Sequence, residues 1–196
     1  NIYAILIVGI YLVLASCCMV YMLSRVLKAK YEKEKLIYTS NTDELTKCFN
    51  RHAYETAIHS LDLHKEWIYI SLDINGLKRV NDSLGHAAGD ELICGAANCM
   101  KSCFQNYGNV YRIGGDEFVI IVTEKTSELP NLLANFDQKV ARWKGELLDS
   151  MSVSYGYVFS SEKEWNGIYD IAKAADARMY KSKSCYYRQS GIDRRR

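Results

Sequence analysis

Val110-Tyr111-Arg112-Ile113-Gly114-Gly115-Asp116-Glu117-Phe118-Val119-Ile120-Ile121-Val122 is the stretch that decides how this chain reads. Two apolar runs rich in β-branched residues flank a glycine pair. That is the pattern of a β-hairpin, and the glycines are expected to take the positive φ angles of a tight turn. A purely structural hairpin has no need of two adjacent carboxylates at its tip. The missing side chains at Gly114 and Gly115 let a bulky anion approach the main chain, and Asp116 and Glu117 can hold the cations it brings. The combination suggests a phosphate and metal site, set against the plainer alternative of an acidic surface turn.

Upstream, Trp67-Ile68-Tyr69-Ile70-Ser71-Leu72 is a strand by residue type, and it ends on Asp73. A carboxylate at the carboxyl end of a buried strand can reach ligand beyond the sheet edge, although it can also simply cap a helix. Asp73 and Asp116, with Glu117 and a main-chain carbonyl near Ile74, offer the oxygen donors that Mg²⁺ prefers, and Mn²⁺ suits the same set. Two such ions would serve an in-line phosphoryl or nucleotidyl transfer. Asn81 and Asp90 complement the guanine edge, a carboxylate for its two donors and an amide for its O6, whereas adenine would leave groups unpaired. Asp90 alone also reads as a helix N-cap. Lys78 and Lys183 could neutralise phosphates or be ordinary surface lysines, and His86 reads as structural.

Around this centre the pattern predicts helices over 51–63, 89–105, 128–148 and 168–186, a short helix after Val80, and a strand over 152–159. The order suggests an α+β fold, a mainly antiparallel sheet with helices packed on one side. At the other end of the chain, Ile2 to Ser24 carries no charged residue and is long enough to span a bilayer as residues 1–24. A signal peptide fits less well, because no basic region precedes the apolar run and no small-residue cleavage site follows it. Residues 25–40 read as a juxtamembrane helix, either solvated or pairing two copies along a poor heptad seam. The first 40 residues carry Arg25, Lys28, Lys30, Lys33 and Lys35 against Glu32 and Glu34, so the +2 of the whole chain leaves a net −1 on the remainder. The basic cluster places that flank in the cytoplasm, and the near-neutral body argues against nucleic-acid binding. The chain begins with Asn, which suggests a piece of a longer membrane protein whose amino-terminal sensor precedes it. The seven cysteines contain no Cys-x-x-Cys pair and read as buried thiols in a reducing compartment. Residues 189–196 read as a basic tail.

Several segments in order resemble one family: Asp43-Glu44-Leu45-Thr46 with Asn50-Arg51, Asp73 to Asp82, Gly85-His86 with Gly89-Asp90, Arg112 to Phe118, Ser154-Tyr155-Gly156, and Ala175-Asp176 with Met179-Tyr180 and Lys183. They are similar to the GGDEF diguanylate cyclases of bacteria, and the resemblance covers residues 41–188. It implies a palm-like fold related to nucleotide cyclases and polymerases, with a central antiparallel sheet and surrounding helices. The implied activity is condensation of two GTP into cyclic di-GMP and two pyrophosphates by a homodimer held at the inner membrane. In that family the positions of Asp73, Ile74 (through its carbonyl) and Asp116 hold Mg²⁺, and Asp116 also accepts the proton of the ribose 3′-hydroxyl; Glu117 is read beside them as a further metal and catalytic acid. Asn81 and Asp90 match guanine contacts, while Lys78, Lys183, Gly114 and Gly115 match substrate contacts. An inactive domain that binds GTP as a regulatory module is the competing reading. Asn75 stands where the family often has Asp, and Tyr187 where it often has a phosphate-binding arginine. Gln105 and Gly108 stand where many members carry an Arg-x-x-Asp product site.

Overall fold

The structure, a computed structural model, describes residues 2–190, and the chain divides into two units between Ser40 and Asn41. The first unit is taken up by helix α1 (Ile2–Asn41). The helix runs without a break through the expected boundary at residues 24 and 25, because no Gly or Pro falls between Gly9 and Asn41. Among the described residues it is the one helix long and apolar enough to cross a membrane.

The second unit is built on four strands, β1 (Ile68–Ile74), β2 (Gly108–Arg112), β3 (Glu117–Val122) and β4 (Val153–Phe159). They form an antiparallel sheet in the order β2-β3-β1-β4. Its helices are α2 (Arg51–His59), α3 (Leu77–Leu84), α4 (His86–Phe104), α5 (Leu129–Arg142) and α6 (Ile168–Ser190). The helices cover both faces of the sheet, not one. Ile68, Ile70, Leu72 and Ile74 pack with α4 and α5, while Tyr69, Val119, Ile121 and Val158 pack with α2 and α6. The cause lies in β1 itself, which is buried at every position. A strand facing solvent on one side alternates apolar and polar residues, and the near-continuous apolar run of 67–72 belongs to a strand covered on both sides.

Helix boundaries differ from the sequence expectation. Helix α2 ends at His59, four residues early. Helix α5 stops at Arg142, where Trp143 turns extended (ψ 137°); its indole lies against Gly95 of α4, so that a Cβ there would come within 2.5 Å of the ring. Helix α4 starts at His86 after Gly85, whose φ of +86° gives the turn between α3 and α4. Helix α6 runs to Ser190, so the start of the expected basic tail is helical, and residues 191–196 lie outside the described residues.

Candidate active site

Strand β1 presents alternate residues to opposite faces. Tyr69, Ser71 and Asp73 therefore point to the face covered by α6. Gly156 of β4 lets that helix approach backbone to backbone, since a Cβ at 156 would fall 2.1 Å from the Met179 nitrogen. Ser71 Oγ donates to Asp176 Oδ1 at 2.5 Å, and two helical turns further on Lys183 Nζ reaches Asp73 Oδ1 at 2.5 Å. The Ser-Tyr-Gly and Ala-Asp segments, which carry no evident chemistry in sequence, thus fasten α6 to the sheet and aim Lys183.

Asp73 pairs across the sheet with Glu117, and the Ile74 N–H donates to the Asp116 carbonyl at 3.0 Å. The end of β1 and the acidic tip are therefore neighbours, as the sequence predicts. Asp73 caps no helix, because the N-cap of α3 is Gly76, at a φ of 77°. Burial pushes the Asp73 carboxyl above the usual carboxylate range; Lys183 opposes that shift, while Asp116 and Glu117 add to it.

The tip is held differently from the expectation. Neither Gly114 nor Gly115 takes a positive φ; among the described glycines only Gly76 and Gly85 do. The loop spans four residues, 113–116, and it closes by the Ile113 and Gly114 N–H groups donating to the Glu117 carbonyl. Loops of that length do not need the left-handed residues of a two-residue turn. The glycines matter for space. Nothing lies within 4 Å of a Cβ built on Gly115, so its backbone is bare to an approaching ligand, while a Cβ on Gly114 would press on the Glu117 carboxylate at 2.8 Å. Arg112 grips the loop from behind. Its Nη2 donates to the Gly115 carbonyl at 2.9 Å, its Nε to Gly114 at 3.2 Å, and its Nη1 to Asp43 at 3.0 Å. Asp43 also accepts from the Thr46 N–H and hydroxyl, at 2.9 and 2.7 Å. The hold of Arg112 and Asp43 on this loop is missed by a reading that looks for catalytic acids. The available signals are an arginine beside two bare carbonyls and an Asp-x-x-Thr turn.

Asn81 and Asp90 come from α3 and α4, which fold back on each other across Gly85. Asn81 lies over Gly89, where a Cβ would meet its Oδ1 at 1.9 Å, and that Oδ1 is buried without a hydrogen-bond partner. A buried acceptor left unmatched is costly. Asp90 stands exposed on the second turn of α4, past any capping position, and does not bond to Asn81. Beside it, Glu91 accepts the Leu147 N–H at 3.0 Å and docks the segment after α5. Lys78 is exposed on the first turn of α3. Arg188 donates to Cys185 Sγ at 3.3 Å, and its position five residues after Lys183 turns it off that lysine's face of α6.

No three His, Cys, Asp or Glu side chains among the described residues gather closely enough to cage a metal ion. The donors present, the carboxylates of Asp73, Asp116 and Glu117 and the Ile74 carbonyl, fit a hard divalent cation that takes its remaining ligands from water and substrate phosphate. The like charges around Asp73 favour such a cation.

The fold and this sheet-end cluster of acids and glycines define a nucleotide-cyclase-like domain. Residues 40–187 match the family model described as diguanylate cyclase, GGDEF domain. The chain belongs to that GGDEF diguanylate cyclase family. It is 32% identical over 186 residues to the signaling protein YkoW of Bacillus subtilis, an alignment covering 86% of this chain and 23% of that protein. It is 29% identical over 170 residues to a diguanylate cyclase of Vibrio cholerae, covering 81% and 53%. The chain thus spans between about a quarter and a half of these curated relatives. The coiled coil and GGDEF domain of DgcB from Caulobacter crescentus, in complex with c-di-GMP, superposes with a TM-score of 0.71 at 23% identity, over 86% of this chain and 94% of that one.

Proposed function

We propose that this chain is the catalytic part of a membrane-anchored diguanylate cyclase. The observation that carries the reading is the tie between β1 and the tip, where Ile74 N–H bonds the Asp116 carbonyl and Glu117 lies opposite Asp73. A domain that only bound nucleotide would have no use for so complete a set of acids at a bare glycine loop.

In this reading Asn81 and Asp90 orient guanine, Asp90 accepting from its two donors and the Asn81 amide nitrogen donating to O6. Lys78 and Lys183 hold the triphosphate, and the open backbone at Gly115 lets its oxygens approach. Asp73, the Ile74 carbonyl, Asp116 and Glu117 hold Mg²⁺ or Mn²⁺, up to two ions with the substrate. A cation held there neutralises charge on the attacking and leaving oxygens of an in-line displacement. Asp116 takes the proton from the 3′-hydroxyl of one GTP. That oxygen then bonds the α-phosphorus of the second GTP, and the bond to its pyrophosphate breaks. Repetition in the other direction closes the ring and releases a second pyrophosphate. Each domain holds one nucleotide, so two domains must face each other as a homodimer. Residues 2–24 span the membrane and leave the domain in the cytoplasm, and a sensor preceding Asn1 supplies the input.

The test is incubation of the purified chain with GTP and Mg²⁺, followed by chromatography of the nucleotides. Cyclic di-GMP with two equivalents of pyrophosphate is the expected result. GTP that binds but stays unchanged would make the domain a regulatory GTP-binding module instead.

A further inference from the structure

Asp73 and Lys183 have separate tasks in the scheme above, one on a cation and one on phosphate, yet here they hold each other. Lys183 Nζ lies 2.5 Å from Asp73 Oδ1, and the two side chains are 14% and 7% exposed. This is not a long surface lysine that happens to find an acid. Helix α6 is fixed upstream by Asp176 on Ser71 and by the backbone approach at Gly156, and Lys183 follows Asp176 by seven residues on the same helix face. A buried carboxylate beside Asp116 and Glu117 needs a positive partner. Here that partner is the Lys183 ammonium.

An ammonium and a divalent cation cannot share one carboxylate oxygen, because the like charges repel at contact distance. The lysine stem is flexible and can carry its charge to a neighbouring anion. We propose that Lys183 is an exchangeable counter-ion of Asp73: its ammonium fills the cation position while no nucleotide is bound, and nucleotide phosphates draw it off. Cation and nucleotide then bind together, and the cation alone binds poorly. A domain built this way keeps Asp73 neutralised at all times and does not load with metal before substrate arrives. The inference rests on the reading of Asp73 as a cation ligand, and the experiment separates the two.

The full chain in mild detergent is titrated with Mn²⁺ and no nucleotide, and free Mn²⁺ is read by electron paramagnetic resonance. Lys183→Met, which keeps the aliphatic stem, and Lys183→Gln are each expected to bind Mn²⁺ at least about tenfold more tightly than the parent, the size set by release of one charge-assisted hydrogen bond. Added Mn²⁺ should raise their melting temperatures more than that of the parent. Lys183→Arg, which retains the charge, should stay weak. Asp73→Asn combined with Lys183→Met should erase the gain. Equal or weaker Mn²⁺ affinity in both charge-removed variants overturns the exchange; if Asp73→Asn still abolishes binding in the parent, the ligand role of Asp73 survives. If no protein binds Mn²⁺, or binding ignores Asp73→Asn, both the exchange and the ligand role are refuted.

Discussion

Replacing Arg112 by Met should loosen the glycine loop without touching any acid that faces substrate. The guanidinium bonds the Gly114 and Gly115 carbonyls on one side and Asp43 on the other, the latter as an ion pair with side chains 14% and 24% exposed. Breaking a fully buried pair costs about 3 to 5 kcal/mol, and an exposed one under about 1. Asp43 keeps its two bonds from Thr46 after the substitution, so its charge is not stranded. The expected loss is therefore about 2 to 3 kcal/mol, or a melting temperature lower by roughly 5 to 10 °C for a domain of this size. Turnover should fall at least about tenfold, because the loop that positions Asp116 loses its grip. Thermal melts of Arg112→Met, Asp43→Asn and the double variant measure the coupling directly. Acid melts supply an independent sign. Burial pushes the Asp43 carboxyl up, but the bonds from Thr46 and Arg112 outweigh it and hold the group below its ordinary 3.8. A group depressed in the folded state stabilises above its unfolded value and loses that contribution as pH falls through the lower, folded one. The parent should therefore lose stability below about pH 4 more steeply than Asp43→Asn. Additive melting shifts, or an Arg112→Met protein that melts within about 1 °C of the parent, would refute the clamp.

Asp116→Asn should lower turnover at least about a hundredfold, as loss of a charged stabiliser at a transferring phosphoryl group does, with folding intact by circular dichroism. Asp90→Ala should cost about 2 to 4 kcal/mol of discrimination between GTP and ATP, read from their competition; an unchanged preference would remove Asp90 from guanine recognition. Gly156→Ala places a methyl 2.1 Å from the Met179 nitrogen and should push α6 off β4, visible as a lower melting temperature and weaker GTP binding through Lys183. Added cyclic di-GMP should inhibit little through the Gln105 and Gly108 positions: Gln105 is neutral, and a side chain at 108 would strike the Ile121 carbonyl at 1.9 Å, so strong noncompetitive inhibition at low product would point to another site.

The hairpin, the strand that carries Asp73 and the family were legible because they are local patterns, a glycine pair between apolar runs and short motifs in order; the strand runs one residue further, to Ile74. The pairing of Asp73 with Glu117 followed from them once the sheet formed. Less legible was anything set by which face a residue occupies. Nothing in the spelling of Ser71, Asp176 and Lys183 says that they line up, since that depends on strand parity meeting helix phase across 110 residues. The two-sided sheet was readable in the unbroken apolar run of β1, a signal that the order of elements alone does not carry. The glycine pair was located correctly but given the wrong physics, because loop length, not residue type, decides whether a left-handed residue is required.

Asn75 shows how a departure from a family pattern can be settled by packing. In sequence it looks like lost charge at a metal site. In the structure its side chain is buried at 6% exposure and turned toward the start of β4, where Nδ2 donates at 2.9 Å to Oγ of Ser152, just before the strand, and of Ser154, and Oδ1 accepts from Ser154 Oγ at 3.0 Å. Its N–H also donates to the Ser152 carbonyl at 2.9 Å. An amide can give and accept in one such pocket, whereas an aspartate accepts only and would add a second buried negative charge two residues from Asp73. With the amide, the edge between β1 and β4 locks without raising that repulsion, and Asp73 needs only one cation at a time. Asn75→Asp should therefore destabilise the domain rather than improve its metal binding. A melting temperature and Mn²⁺ affinity both at or above the parent would show that the site, not the strand edge, governs this position.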